Sequence, residues 1–292
     1  MTDKLKIAYF MLIAVMMYYF LTEIINLGIF VTFRHVLALV LFGSAFVTFL
    51  YRPNIARGMT AVKGAVCYSA PLLVTILASL FIWFSEQVST DVIARGLSGA
   101  FIYTNMLSFA LAAAAMLYIF GEKGIWYNLA AILIANIMII GTIILEHGMS
   151  GYFSELFALI TTFAAETGDI IVQAEVHELA FCLGAYLIYM LLKPQKNPVY
   201  AILLTMTMFC FLSAFKRIGI IAIVLALVLG WGMKWFAKIS PKAAFRTVTI
   251  LSVAIVVVLV GYIGLIKIDI FSMLEEFGIE TRGRVEIYRA VD

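Results

Sequence analysis

Two pairs of basic residues are the groups in this sequence best suited to bind a phosphate. Lys216 and Arg217 are adjacent in a short turn between two apolar segments. Arg282 and Arg284 flank a glycine near the end of the sequence, and glycine lets the backbone approach a ligand closely. Guanidinium groups fit phosphate oxygens bidentately, and the helix after Arg217 adds its dipole. The two pairs could together hold one diphosphate without a metal ion; a solvated turn is the alternative for the first pair.

Arg34 and His35 lie inside an apolar segment, where charged side chains are costly and are candidates for function. Arg34 has three open interpretations: it extends to the lipid headgroups, it pairs with Glu23, or it binds substrate. His35 is interpreted as a hydrogen-bonded core histidine, with a proton relay as the alternative. Both are accessory residues of the predicted site.

Acidic and histidine side chains gather near one predicted membrane surface. They are Glu146, His147, Glu175, His177 and Glu178. Their spacing matches no metal-ligand pattern, because LAFC follows His177 and Glu178 and supplies no second histidine. We interpret them as solvated charges, keep Glu178 as an accessory site residue, and expect no metal and no cofactor. The nucleotide-binding loop and the serine-hydrolase motif are also missing from the sequence.

The segments that must position these residues are overwhelmingly apolar. Of 292 residues, 64% are hydrophobic and 13% are charged, and the mean hydropathy is +1.08. Globular proteins have about 45–50% apolar and about 25% charged residues. This composition excludes a soluble enzyme, a secreted disulfide scaffold and a disordered protein. The three cysteines lie in apolar runs and are interpreted as small buried side chains.

The apolar segments predict an all-α fold, a polytopic transmembrane helical bundle of about nine spans within residues 1–266. A bilayer core about 30 Å thick needs about 20 apolar residues per helix, and the period-two alternation of barrel strands is missing. The predicted spans are 7–25, 28–50, 65–84, 96–120, 125–145, 178–192, 198–214, 218–233 and 247–266. Aromatic residues near their ends are interpreted as interface belts: Tyr18, Tyr19, Tyr51, Trp83, Trp126 and Tyr127.

The distribution of charge predicts the orientation of the bundle. Most basic residues fall in alternate connecting segments, whereas the loop at about 146–177 has acids and no Lys or Arg. Basic loops stay in the cytoplasm, so the amino terminus is predicted inside and residues 267–292 outside. FSELFALITTFAA, in the 146–177 loop, is too short to span and predicts an interfacial or re-entrant helix. Residues 267–292 are predicted to begin a large external loop, with a helix capped by Thr281.

Three segments in order resemble motifs of the O-antigen polymerase/ligase superfamily: SAFKRIGIIAI, KWFAKISPKAAFR and RGRVEIYRA. The first matches Ser-x-x-Lys-Arg-x-Gly before an apolar helix. The last resembles an external Gly-Arg-x-x-x-Tyr-x-x-Ala start of a helix, but its alanine follows the tyrosine after one residue instead of two. The predicted spans and the external loop after the ninth helix also resemble that superfamily.

The resemblance implies a membrane glycosyltransferase that joins oligosaccharide repeat units of O-antigen, capsule or exopolysaccharide. The units are carried on undecaprenyl diphosphate at the outer face of the cytoplasmic membrane. Arg217 and Arg284 would be catalytic, and with Lys216 and Arg282 they would bind the diphosphate and stabilise its charge as it leaves. The diphosphate already activates the donor, so the resemblance implies neither a nucleotide nor a metal.

Other functions remain open from the sequence. A ligase would transfer the glycan to a lipid or protein acceptor, a transporter or flippase would move a polysaccharide or small solute, and a scaffold would do no chemistry. Expected partners are the undecaprenyl-diphosphate-linked glycan, membrane lipids, a flippase and a chain-length regulator, and not nucleic acid. Superfamily members continue beyond the position of Asp292, often with a histidine that activates the acceptor. None of the three histidines matches that position, so two alternatives stay open: a truncated or split chain that binds donor without turnover, or a catalytic base elsewhere in the sequence.

Overall fold

The computed structural model describes residues 3–20, 30–85, 106–162, 177–213 and 217–243, with parts of 89–97 and 245–257. Every regular element in these residues is an α-helix, which confirms the all-α prediction. The helices are α1 (Asp3–Tyr19), α2 (Phe30–Tyr51), α3 (Ile55–Ser85), α4 (Met106–Phe120), α5 (Lys123–His147), α6 (Met149–Thr162), α7 (His177–Leu192), α8 (Pro198–Ser213) and α9 (Arg217–Ile239).

Three segments in the described part of the chain are long and apolar enough to cross a membrane: Phe33–Tyr51, Lys123–His147 and Ile220–Lys238. This number supports a membrane protein and is smaller than the nine spans predicted. The helices α7 and α8 have 16 residues each. At 1.5 Å per residue they are about 24 Å long, shorter than a bilayer core of about 30 Å.

The chain divides into two compact units. The first contains residues 1–75 and 94–231, and the second contains residues 76–93 and 232–292. Most of the described residues belong to the first unit.

The core of the first unit is a set of mutually packed helices. In it α1 contacts α2 and α5, and α4 contacts α2 and α5. The α4 sequence FALAAAAML places small side chains on its buried surface, which lets neighbouring helices approach closely. Aromatic rings also pack between helices: Phe10 on α1 and Phe120 on α4 form an edge-to-face pair with centroids 5.7 Å apart.

Glycines permit the tight turn between α4 and α5. Gly121 has φ 62°, a backbone conformation that other residues adopt only at a cost, and its N–H donates to the Leu117 carbonyl at 2.9 Å. A Cβ on Gly124 would lie against the backbone of Met116, 2.6 Å from its carbonyl carbon. Glycine at position 124 therefore allows the two helices to pack backbone to backbone.

The helices α7 and α9 run in the same direction. A Cβ on Gly184 would lie 3.4 Å from the Ile223 side chain, and one on Gly230 would lie 2.7 Å from Leu192. From residue 184 to residue 192 on α7, the contacted residue on α9 moves from 223 to 230, so the two helices are parallel.

A helix lies within the predicted external loop, where FSELFALITTFAA indicated one. It is α6, which has 14 residues and contacts α5. Tyr152 and Leu156 on α6 are buried. Its interfacial or re-entrant position stays a prediction, and the helix predicted after Thr281 lies outside the described residues.

Candidate functional site

The predicted diphosphate site is described only at its central helix. The helix α9 begins at Arg217, three residues after α8 ends at Ser213, as expected for a short turn followed by an apolar helix. Backbone N–H groups in the first turn of a helix lack helical acceptors and favour an anion. The Arg217 side chain and all of Lys216, Arg282 and Arg284 lie outside the described residues. Their convergence on one diphosphate stays a prediction.

The side chain of Arg34 is buried in the protein, with an exposed fraction of 4%. It lies at the fifth residue of α2, about 25 Å along the helix from Tyr51. This burial favours contacts with protein over extension to lipid headgroups, because an extended arginine would keep its guanidinium exposed. Glu23, the carboxylate proposed to pair with it, lies outside the described residues.

His35, the sixth residue of α2, connects α2 to the first turn of α4. Its Nδ1 lies 2.9 Å from the Oγ of Ser108, which is fully buried on α4. Either atom can donate, depending on the imidazole tautomer. The hydrogen bond agrees with the interpretation of His35 as a core histidine. The half-buried His35 and the buried Ser108 therefore form a polar pair between α2 and α4, and the buried Arg34 precedes His35 on α2.

A second buried polar group was not predicted from the sequence. The Tyr18 hydroxyl donates to Asn128 Oδ1 at 2.6 Å, and Asn128 Nδ2 donates to the Tyr186 hydroxyl at 3.1 Å. The Tyr186 hydroxyl in turn donates to the Ile125 carbonyl at 3.3 Å. This Tyr–Asn–Tyr network joins α1, α5 and α7. Assigning Tyr18 to an interface belt was wrong, because its side chain is fully buried.

Asparagine within an apolar helix was the signal for this network. Buried amides in membrane helices hydrogen-bond between helices, and α5 has two of them. Asn136 lies eight residues, about 12 Å, beyond Asn128. Its Nδ2 donates to the Ile132 carbonyl of its own helix at 3.3 Å. Its buried Oδ1 accepts no hydrogen bond from any residue that the structure describes.

The acidic and histidine cluster is only partly described. Glu146 and His147 lie at the end of α5, with Oε2 and Nε2 3.9 Å apart, and both side chains are exposed. Glu175 and the side chains of His177 and Glu178 lie outside the described residues. In the part of the chain that is described, no three His, Cys, Asp or Glu residues come together as metal ligands.

One end of the first unit collects basic residues from three connections, between α2 and α3, α4 and α5, and α7 and α8. The Tyr118 hydroxyl donates to the Arg52 carbonyl at 3.1 Å, and Arg57 Nη1 donates to the Ile119 carbonyl at 3.4 Å. Lys123 begins α5 three residues after α4 ends. We call this end, which also includes Lys193, the basic end. Phosphate headgroups of a cytoplasmic leaflet attract such residues.

Comparison of the chain with family models, curated proteins and solved structures finds no match. The O-antigen polymerase/ligase resemblance therefore stays a prediction from three short segments. The function must be proposed from the chain's own residues.

Proposed function

We propose that this protein is a multi-pass enzyme of the cytoplasmic membrane that polymerises undecaprenyl-diphosphate-linked oligosaccharide units on the outer face. The observation that carries the proposal is the start of the apolar helix α9 at Arg217, directly after Lys216. Two adjacent cations at the predicted external end of a helix run against the usual preference for basic residues inside. An anionic external substrate accounts for their presence.

The proposal includes nine spans, a cytoplasmic amino terminus and an external segment from residue 267. The basic end supports this orientation, because residues from separate connections gather at one end of the first unit. The parallel directions of α7 and α9 also fit, since one span separates them. Cysteine labelling from outside intact cells tests the topology. Single cysteines at 150 and 270 should react and one at 195 should not; the reverse pattern would reject the orientation.

In the proposed reaction, Arg217 and Arg284 hold the donor diphosphate. A hydroxyl of the acceptor glycan attacks the anomeric carbon of the donor sugar as the bond from that carbon to the diphosphate oxygen breaks. Undecaprenyl diphosphate then leaves with the additional negative charge, and the hydroxyl proton is released. Guanidinium groups placed where this charge develops lower the barrier.

The test is polymer formation in cells that carry variants in place of the native protein. Arg217→Ala and Arg284→Ala should each lower polymer about 10²-fold or more at equal protein level, as loss of one charge-stabilising donor does. Arg246→Ala, which removes an exposed arginine from the predicted cytoplasmic side, is the matched control. Normal polymer in both arginine variants would reject the site.

The ligase is a variant of the same proposal, with a lipid or protein as the acceptor. Labelling of the glycan end group separates the two enzymes. A polymerase extends chains that are still attached to undecaprenyl diphosphate. A ligase leaves chain length unchanged and removes the chains from that carrier.

A transporter or flippase is the second candidate, and the buried Arg34 is the observation that favours it. Ionisable residues buried between membrane helices often mark a substrate pathway. In this case Arg34→Gln should trap the lipid-linked unit at the cytoplasmic face. A polymerase with the same substitution would instead accumulate single units outside. Measuring which face carries the unit distinguishes the two functions.

A further inference from the structure

The basic end of the first unit contains a cleft that the proposed glycan chemistry does not use. It has a volume of about 150 Å³ and is lined by Ile125, Ala185, Tyr186 and Tyr189. Ile125 and Ala185 are exposed beside it, and Tyr189 has an exposed fraction of 42%, so the cleft reaches the surface between α5 and α7. Its walls are aliphatic groups and the faces of two tyrosine rings.

Hydrogen bonds and ring contacts fix both walls. The Tyr186 hydroxyl donates to the Ile125 carbonyl, which ties α7 to the first turn of α5. Trp126 lies beside Tyr189, with ring centroids 6.2 Å apart, and beside Tyr200 at 5.9 Å. These contacts fix the side chains around the cleft, which lies near the beginning of α5 and toward the end of α7.

Exposed lysines lie in the two chain connections at this end of α5 and α7. Lys123 begins α5, and the Tyr200 hydroxyl holds the Lys193 carbonyl at 2.9 Å, just after the end of α7. Lys196 follows in the connection to α8, and all three lysine side chains are exposed. Glu122 is the one acid in these two connections. The net charge at the mouth is positive.

We propose that this cleft and the lysines around it bind an anionic phospholipid of the cytoplasmic leaflet. An acyl chain occupies the cleft between α5 and α7, and the phosphate headgroup lies among Lys123, Lys193 and Lys196. Tryptophan and tyrosine favour the headgroup level, and basic residues between membrane helices on the cytoplasmic side attract anionic lipid heads. The proposal rests on the proposed orientation and is independent of the glycan reaction.

The test is native mass spectrometry of the full chain, released from nanodiscs that contain equal amounts of phosphatidylglycerol and phosphatidylcholine with identical acyl chains. We expect phosphatidylglycerol to be retained in preference. Lys193→Gln should lower its retention about fivefold, the contribution of one basic residue near an anionic surface. The control Lys63→Gln, an exposed lysine on α3, should leave retention unchanged.

A second pair of variants tests the cleft itself. Ala185→Trp fills it and should abolish the preference, whereas Ala8→Trp, at an exposed position on α1, should not. Elution volume and thermal unfolding confirm that each variant is folded. Equal retention of both lipids, or full retention by folded Ala185→Trp, would overturn the proposal. Arg217→Ala should retain phosphatidylglycerol normally, so failure of the glycan proposal is distinguishable from failure of this one.

Discussion

Asn128 and Asn136 offer a direct comparison of two buried amides on one helix with different hydrogen bonding. Both lie on α5 and both are buried. Asn128 makes hydrogen bonds to Tyr18 and Tyr186 on two other helices, whereas among the described residues the partner of Asn136 is Ile132 of its own helix. We expect leucine, which is similar in size to asparagine, to have opposite effects at the two positions.

The expected change in the free energy of unfolding follows from the hydrogen bonds that are lost and from the Tyr18 hydroxyl that loses its acceptor. Interhelical hydrogen bonds in membrane proteins contribute about 0.6 kcal/mol each on average, and Asn128→Leu removes two of them. It also leaves the hydroxyl of the fully buried Tyr18 without its acceptor, at a cost of about 1–3 kcal/mol. We therefore expect a loss of about 2–4 kcal/mol in the free energy of unfolding. Asn136→Leu removes a buried, unsatisfied oxygen and should be neutral or stabilising.

Reversible unfolding in mixed detergent micelles, followed by tryptophan fluorescence, measures both variants. Tyr18→Phe removes the stranded hydroxyl, so adding it to Asn128→Leu should recover part of the loss, a non-additive result. Equal destabilisation by the two leucine variants would refute the network as the source of the effect. A fully additive double variant would refute the stranded-hydroxyl explanation.

Two further predictions concern close backbone approach and a helix end. Gly124→Ala should destabilise the protein, because its methyl group meets the Met116 backbone and this clash costs more than the gain of about 1 kcal/mol that alanine brings in helix propensity. Gly141→Ala is the control: the space around it is open, so it should be neutral or stabilising in the same unfolding assay. Tyr200→Phe removes the hydroxyl that donates to the Met190 carbonyl at 2.6 Å and to the Lys193 carbonyl at 2.9 Å. It should cost about 1 kcal/mol and speed amide exchange at the end of α7.

The helices were predictable because the length of an apolar segment restricts it strongly. The predicted spans 28–50 and 125–145 correspond to α2 and α5, and each of their four boundaries is shifted by one or two residues. Segments 178–192 and 198–214 also became helices, but the polar connection KPQKNP limits both to 16 residues. Hydropathy located these helices without settling whether each one crosses the membrane.

Pairings between distant residues were not predictable. Tyr18 lies near a segment end, as belt residues do, but its partner Asn128 is 110 residues away. Which tyrosine an asparagine meets depends on helix rotation and order in the bundle, and one sequence does not determine either. The contact of His35 with Ser108, 73 residues away, was not predictable for the same reason. The start of the helix at Arg217 was predictable from the sequence. A site shared with Arg284 was not, because it depends on contacts between residues far apart in the chain.

Polymer length in a strain that lacks the protein tests the proposed function most directly. Surface polysaccharide from the deletion strain is separated by size and compared with that of the parent strain. We predict that long chains disappear while single repeat units remain, and that the native gene restores the long chains but the Arg217→Ala gene does not. An unchanged size profile in the deletion strain would contradict the polymerase proposal.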